Sequence, residues 1–196
     1  KGDLKQKLST LGTNLIIVTA GKVRVIAGRP RQIGNVITLT VRDAEAVANE
    51  APSVGRTAPF QGKKFVVKYA EASTSTLIAG TSPDFTDIRN FRPVAGRFFT
   101  EDEVKGAVRV AVLGRTVVNN LFEGRDPLGE TIRIKNVPFE VIGVLEEKGV
   151  NAIGQDDDDQ ILIPITTVMR RLMNVTYVNN VYVAARDATL MDKAVS

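Results

Sequence analysis

The 196-residue chain contains no cysteine, no histidine and no tryptophan. Without cysteine there are no disulfides, thiolate metal sites or cysteine nucleophiles. Without histidine the commonest general base and the commonest transition-metal ligand are gone as well. Aromatic residues make up 6% of the chain, too few for a surface that works by stacking. Long apolar runs are missing too. No uncharged stretch exceeds 14 residues, and one of that length, Leu8 to Gly21, is rich in Thr, Gly and Asn, whereas a membrane helix needs about 20 apolar residues. A cysteine-free chain fits an oxidising compartment without requiring one. The chain starts at Lys1 without Met and is expected to be an excised fragment.

What is present describes an ordinary folded domain, with 43% hydrophobic and 24% charged residues. The formal charge is +4, unevenly placed. Seven basic groups (Lys1, Lys5, Lys7, Lys22, Arg24, Arg29 and Arg31) face a single acid, Asp3, within residues 1–35, and the remainder is slightly acidic. Such a stretch suits either anionic lipid headgroups, where each basic group gains about 1 kcal/mol, or a solvated strand edge. Nucleic acid is a poor fit, because the basic residues are not interleaved with aromatics and no recognition motif appears.

Periodicity predicts a mixture of strands and helices. The β-branched run Asn14–Ile26 reads as a strand pair broken at Gly21. Thr40 and Asp43 resemble a capping box ahead of a helix that Pro52 follows. Val54–Phe60, Lys64–Glu71 and Ser75–Ala79 read as three short strands. Ser82-Pro83 begins a short helix with Phe85 and Ile88 inward, and Thr100 with Glu103 makes a second capping box. Val108–Leu113 is an apolar strand. A helix follows from Gly114, with Val117, Val118, Leu121 and Phe122 on one face and Gly124 as its stop. Thr131–Lys135 and Phe139–Leu145 pair as a hairpin across Asn136-Val137-Pro138. Gln160–Ile163 is a strand, Thr166–Met173 a helix, Val178–Ala185 a strand, and Asp187 or Thr189 caps a last short helix.

No catalytic constellation emerges. No two of the sixteen glycines are separated by a single residue, so the G-x-G-x-x-G fingerprint is absent, and Gly62-Lys63-Lys64 lacks the remainder of a phosphate loop. A Ser–Lys dyad has no local signature. The acidic run Asp156-Asp157-Asp158-Asp159 allows a hard-cation site. The EF-hand glycine and terminal glutamate are missing, however, and a flexible, solvated acidic loop is the preferred reading. Arg170-Arg171 is read as the exposed face of a helix rather than an anion site, and Met169, Met173 and Met191 as core filler.

A set of segments taken in order is more specific than any of its parts. Gly96-Arg97-Phe98-Phe99-Thr100 precedes Val110-Ala111-Val112-Leu113-Gly114, Leu121-Phe122, Asp126-Pro127-Leu128-Gly129 and Ile132. Phe139-Glu140-Val141-Ile142-Gly143-Val144-Leu145 follows, then Asp158-Asp159-Gln160-Ile161-Leu162-Ile163-Pro164 and Arg171. Over nearly its whole length the chain resembles the extracytoplasmic core domain of macrolide-exporter-type ABC transporter permeases. That family also includes lipoprotein-releasing and cell-division permeases.

The resemblance implies an α+β fold: a βαβ-rich core built from both chain ends, with a smaller mixed α/β subdomain inserted between them. The porter-like core is expected over 1–82 and 155–196, and the sabre-like insertion over 83–154. It also implies a periplasmic domain of an inner-membrane protein, flanked by membrane at both ends, that relays ATP-driven helix motion and engages a periplasmic adaptor and an outer-membrane channel. The exported substrates would be drugs, peptides or similar molecules. No catalytic, cofactor-binding or metal residue is expected in this domain, and no partner-contact residue is assigned; ATP and Mg belong to the parent's nucleotide-binding domain. The full-length transporter is expected to be a homodimer and the fragment monomeric. The alternatives are a lipoprotein-releasing permease domain that hands its cargo to a carrier and, more remotely, a hydrolase built on carboxylates or lysine.

Overall fold

In the computed structural model of the chain, the described residues are 14–19, 22–25, 54–175, 178 and 180–185. The helix expected after Thr40, the last helix from Asp187 or Thr189, Met191, and Lys1, Lys5, Lys7, Arg29 and Arg31 lie outside them. The architecture is α+β and dominated by strands.

Two compact units share the chain. One comprises Lys1–Phe60, Asp84–Phe91 and Thr176–Ser196; the other Gln61–Pro83 and Arg92–Val175. In the first, strand β1 (Asn14–Thr19) pairs antiparallel with β2 (Lys22–Val25), as the break at Gly21 predicts. The other edge of β1 pairs antiparallel with the last strand, Asn180–Ala185, from Asn14↔Ala185 to Thr19↔Asn180. That last strand in turn pairs with the first half of β3 (Val54–Tyr69). The short helix α1 (Phe85–Ile88) buries Phe85 and Ile88. Phe60, Phe85 and Tyr182, from three chain segments, meet with ring centroids 5.2–5.9 Å apart, in the stacked and edge-on arrangements that aromatic quadrupoles favour.

The second unit is a mixed sheet that closes on itself. The second half of β3 pairs antiparallel with β4 (Ala72–Thr81) across a tight turn at Ala70-Glu71. After the strand Pro93–Gly96 (β5) comes the helix Glu101–Lys105 (α2), then β6 (Val110–Leu113) and the helix Arg115–Phe122 (α3). The hairpin β7 (Thr131–Ile134) and β8 (Val137–Leu145) is followed by β9 (Gln160–Pro164). Neighbours run β3, β4, β9, β6, β8, β7, and β7 returns to β3 through Val67 and Lys68. Closure leaves few free edges. Strand β5, four residues long and opened by Pro93, lies on β8 beyond β7 and is itself too short to recruit another strand.

Side-chain patterns match these positions. All four residues of β6, and Ile161 to Pro164 of β9, are buried, as expected of apolar runs in interior strands. Strand β7 alternates, burying Ile132 and Ile134 and exposing Thr131 and Arg133. Helix α3 buries Val117, Val118, Leu121 and Phe122. A three-residue helix α4 (Ile165–Thr167) continues into a π-helical turn (Val168–Met173), and the Thr167 hydroxyl donates to the Val108 carbonyl at 2.8 Å.

Three sequence expectations need correction. Residues 54–79 hold two strands rather than three: Gly62 does not interrupt β3, because Gln61, Gly62 and Lys63 pair with Gly80, Ala79 and Ile78. The hairpin turn is Lys135-Asn136, both with positive φ (51° and 64°), so Val137-Pro138 already belongs to β8. Such paired positive φ values suit the right-handed twist of the flanking strands. The helix at Thr166–Met173 starts one residue earlier and widens into the π turn.

The capping box of α2 forms as expected. Thr100 Oγ1 accepts from the Glu103 N–H at 3.2 Å, and Glu103 Oε1 accepts from the Thr100 N–H at 3.0 Å. Arg97 donates to both Glu103 oxygens at 2.7 and 3.1 Å, and this hydrogen bond is the main reason the Glu103 carboxyl sits below its ordinary pKa. A depressed carboxyl contributes stability above its unfolded pKa and loses it as pH falls through the folded value. Glu103→Gln is therefore expected to destabilise at neutral pH by about 1 kcal/mol or less, since the Arg97 partner is half exposed. The gap to the parent protein should narrow below about pH 4, as followed by urea denaturation across pH.

Candidate functional site

The chain segment that connects β8 to β9 carries the acidic run. Each of its four carboxylates is hydrogen-bonded, and the expectation of a loop solvated throughout is corrected at Asp158. Asp158 is buried, 3% exposed, and accepts the backbone N–H groups of Lys148 and Gly149 at 2.7 and 2.8 Å. Asp156 takes the Asp158 N–H on one oxygen (2.9 Å) and the Thr116 hydroxyl on the other (2.6 Å). Asp157 accepts from the Asn151 amide at 3.0 Å, and Asp159 from the Thr76 hydroxyl at 2.7 Å. Adjacent carboxylates repel, so spreading them among separate donors is the arrangement that lets four of them share one turn. No group of three acidic side chains able to hold a metal ion occurs among the described residues.

The loop itself is cross-tied. Asn151 Oδ1 accepts from the N–H groups of Ile153 and Gln155, both at 3.0 Å, and the Asn151 N–H donates to the Gln155 carbonyl at 2.8 Å. The Asp157 N–H donates to the Gly149 carbonyl at 3.1 Å, and Val150 bridges Asp156. Gly149 and Gly154 take φ of 77° and 84° at the bends, a region costly for a side chain. At the base, burial pulls the Glu146 carboxyl upward. Hydrogen bonds from Lys148 and from the Arg92 N–H outweigh it and hold the pKa below its ordinary value. The hydrogen-bonded frame presents Val150 and Ile153 to solvent, 67% and 78% exposed.

The loop is also fastened to the start of α3. The Gly114 N–H donates to the Gln160 carbonyl at 2.9 Å, and the Thr116 N–H to the Asp158 carbonyl at 3.2 Å. A Cβ on Gly114 would strike the Asp158 carbonyl oxygen, although its φ and ψ of −72° and 161° are open to any residue. Gly114→Ala is thus a purely steric test of this close approach. It is expected to lower stability by about 1–3 kcal/mol, read as a shifted urea midpoint with an unchanged slope.

The remaining sequence candidates lie on other elements. Arg170 and Arg171 are exposed on the π turn. Met169 is buried, and Met173 accepts from the Gln61 amide at 3.7 Å. Lys63 and Lys64 lie on β3, and Lys22 and Arg24 on β2. Asn151, Thr116 and Gly114 were not singled out from the sequence for this site, and their only local trace is the Gly149–Gly154 spacing around Asn151. The arrangement can brace a loop and offer a surface.

Comparison with known proteins agrees with such a module. Residues 2–196 match the family model described as the MacB-like periplasmic core domain. The chain belongs to that family. It is therefore a periplasmic core domain of a MacB-like ABC transporter permease.

Among its relatives is the macrolide export ATP-binding/permease protein MacB of Bdellovibrio bacteriovorus, 38% identical over 185 residues, 94% of this chain and 28% of the relative. The MacB protein of Rhodospirillum rubrum is 36% identical over 195 residues, 99% of this chain and 29% of the relative. The chain thus spans under a third of the length of these relatives. The crystal structure of the periplasmic region of MacB from Actinobacillus actinomycetemcomitans has the same fold. Its TM-score is 0.76 at 21% identity, over 98% of this chain and 86% of that one. The extracellular domain of the noncanonical ABC-type transporter YknZ from Gram-positive bacteria shares it at a TM-score of 0.71 and 20% identity, over 80% and 78% of the two chains. No helix among the described residues is long and apolar enough to cross a membrane.

Proposed function

We propose that this domain relays ATP-driven motion of the parent's membrane helices and engages a periplasmic adaptor, so that drugs, peptides or similar substrates pass on to an outer-membrane channel. The observation that carries the reading is the register of β1 against the last strand. The start of β1, Asn14, is paired with the end of β10 (Asn180–Ala185), Ala185. Asn14 and Ala185 therefore lie side by side at one end of a single antiparallel pair, about 5 Å apart. Two helices attached there would deliver their movement to one sheet. A domain inserted between two membrane helices of an inner-membrane homodimer needs that geometry. The cross-tied loop suits a module that binds and transmits.

The test uses the full-length parent transporter in nanodiscs with its cognate adaptor. Replacing this domain by a short flexible linker should abolish adaptor capture and efflux while ATP hydrolysis persists. Capture of the adaptor by the linker version would overturn the reading, and capture of a lipoprotein carrier in place of an adaptor would redirect it to lipoprotein release.

A further inference from the structure

Val150 and Ile153 are the two most exposed large apolar side chains among the described residues. Both sit on the loop whose base is held by the buried Asp158 carboxylate and whose tip is closed by Asn151. An apolar side chain on an untethered loop folds back or is diluted by motion; here hydrogen bonds tie the loop at base and tip. Holding the loop in place before contact removes part of the ordering cost that binding otherwise carries.

The loop's own sequence is acidic. Glu147 and Asp156 are exposed and Glu146 and Asp157 half-buried, while Lys148, paired with Glu146, and Arg92 are the basic groups beside Glu146. This collar disfavours insertion into anionic lipid, which attracts basic segments and repels acidic ones. It favours a protein surface with an apolar recess rimmed by Lys or Arg.

We infer that loop 146–157 is a preformed plug that docks Val150 and Ile153 into an apolar, basic-rimmed recess of the adaptor protein. The inference rests on the adaptor-engaging reading above and adds to it the docking element and the chemistry of the partner's surface. Anchors of this kind, few and central, account for most of an interface's affinity. The acidic collar acts mainly on the association rate and its salt dependence.

The experiment measures binding of purified cognate adaptor to the full-length transporter in nanodiscs. Val150→Asp/Ile153→Asp is expected to weaken binding by more than about tenfold. Val150→Ser/Ile153→Ser should weaken it similarly without added charge. Both side chains point into solvent, so an unchanged melting temperature of the domain would show that the fold is intact. Glu147→Lys should slow association and flatten its salt dependence. Binding within twofold of the parent transporter in both double variants would overturn the plug while leaving adaptor engagement standing. Absence of adaptor binding by the unsubstituted transporter would overturn both. Two further results would assign the loop another occupant and overturn the proposal: loop-dependent binding of the isolated domain to phosphatidylglycerol vesicles, or a loop-dependent dimer of the domain in sedimentation.

Discussion

Asp158→Ala is expected to lower unfolding free energy by about 2–4 kcal/mol, because two part-buried N–H donors lose a buried, charged acceptor and each such loss costs about 1–3 kcal/mol. Lys148 and Gly149 donate those bonds, and the 3% exposure of Asp158 leaves water little access to replace them. For a domain of this size the loss corresponds to about 10 °C in melting temperature. Asp158→Asn should recover part of it, since the amide keeps one acceptor oxygen but turns an N–H₂ toward the second donor. The loop should open before the sheet does, so amide exchange at Lys148 and Gly149 is expected to accelerate even where the variant stays folded. A shift of less than about 1 kcal/mol in Asp158→Ala would mean that the loop is not held as described.

A second large effect is expected at Phe122. Its ring is 2% exposed at the end of α3 and lies against Tyr69 with centroids 4.1 Å apart. Phe122→Ala removes the anchor of that helix and leaves a cavity, with an expected cost of about 3–5 kcal/mol. Tyr69 has a second role here. Its hydroxyl donates to Glu130 at 2.9 Å, and that hydrogen bond raises the phenol pKa. Loosening the ring contact should therefore also move the Tyr69 titration toward its ordinary value. Asn119→Ala, on the exposed face of the same helix, is the control and should stay within about 0.5 kcal/mol of the parent.

Much of the fold could be read from local pattern. The Thr100–Glu103 box, the four apolar positions of α3 and the alternation of Ile132 and Ile134 each involve residues close in sequence, and each formed as read. The failures share a cause. Gly62 looked like a break, but its conformation is set by Ala79 across the ladder, a partner that local propensity does not reveal. The acidic run looked solvated because its partners are remote: Thr76 lies 83 residues from Asp159, and Thr116 lies 40 from Asp156. Family membership was legible because the resemblance rested on the order of many core and turn segments rather than on a site. A docking loop leaves a weaker trace, two apolar residues and an Asn between two glycines.

The most direct test of motion relay is an interprotomer distance measurement in the full-length transporter. The domain has no cysteine, so Lys105→Cys on the exposed end of α2 gives one labelling position in each copy of it. Spin-label distances would be recorded with the adaptor present in nucleotide-free, ATP-trapped and post-hydrolysis states. Relay predicts distance distributions that shift between the ATP-trapped and nucleotide-free states and return after hydrolysis. One unchanged distribution in all three states, in a transporter that still exports substrate, would contradict it.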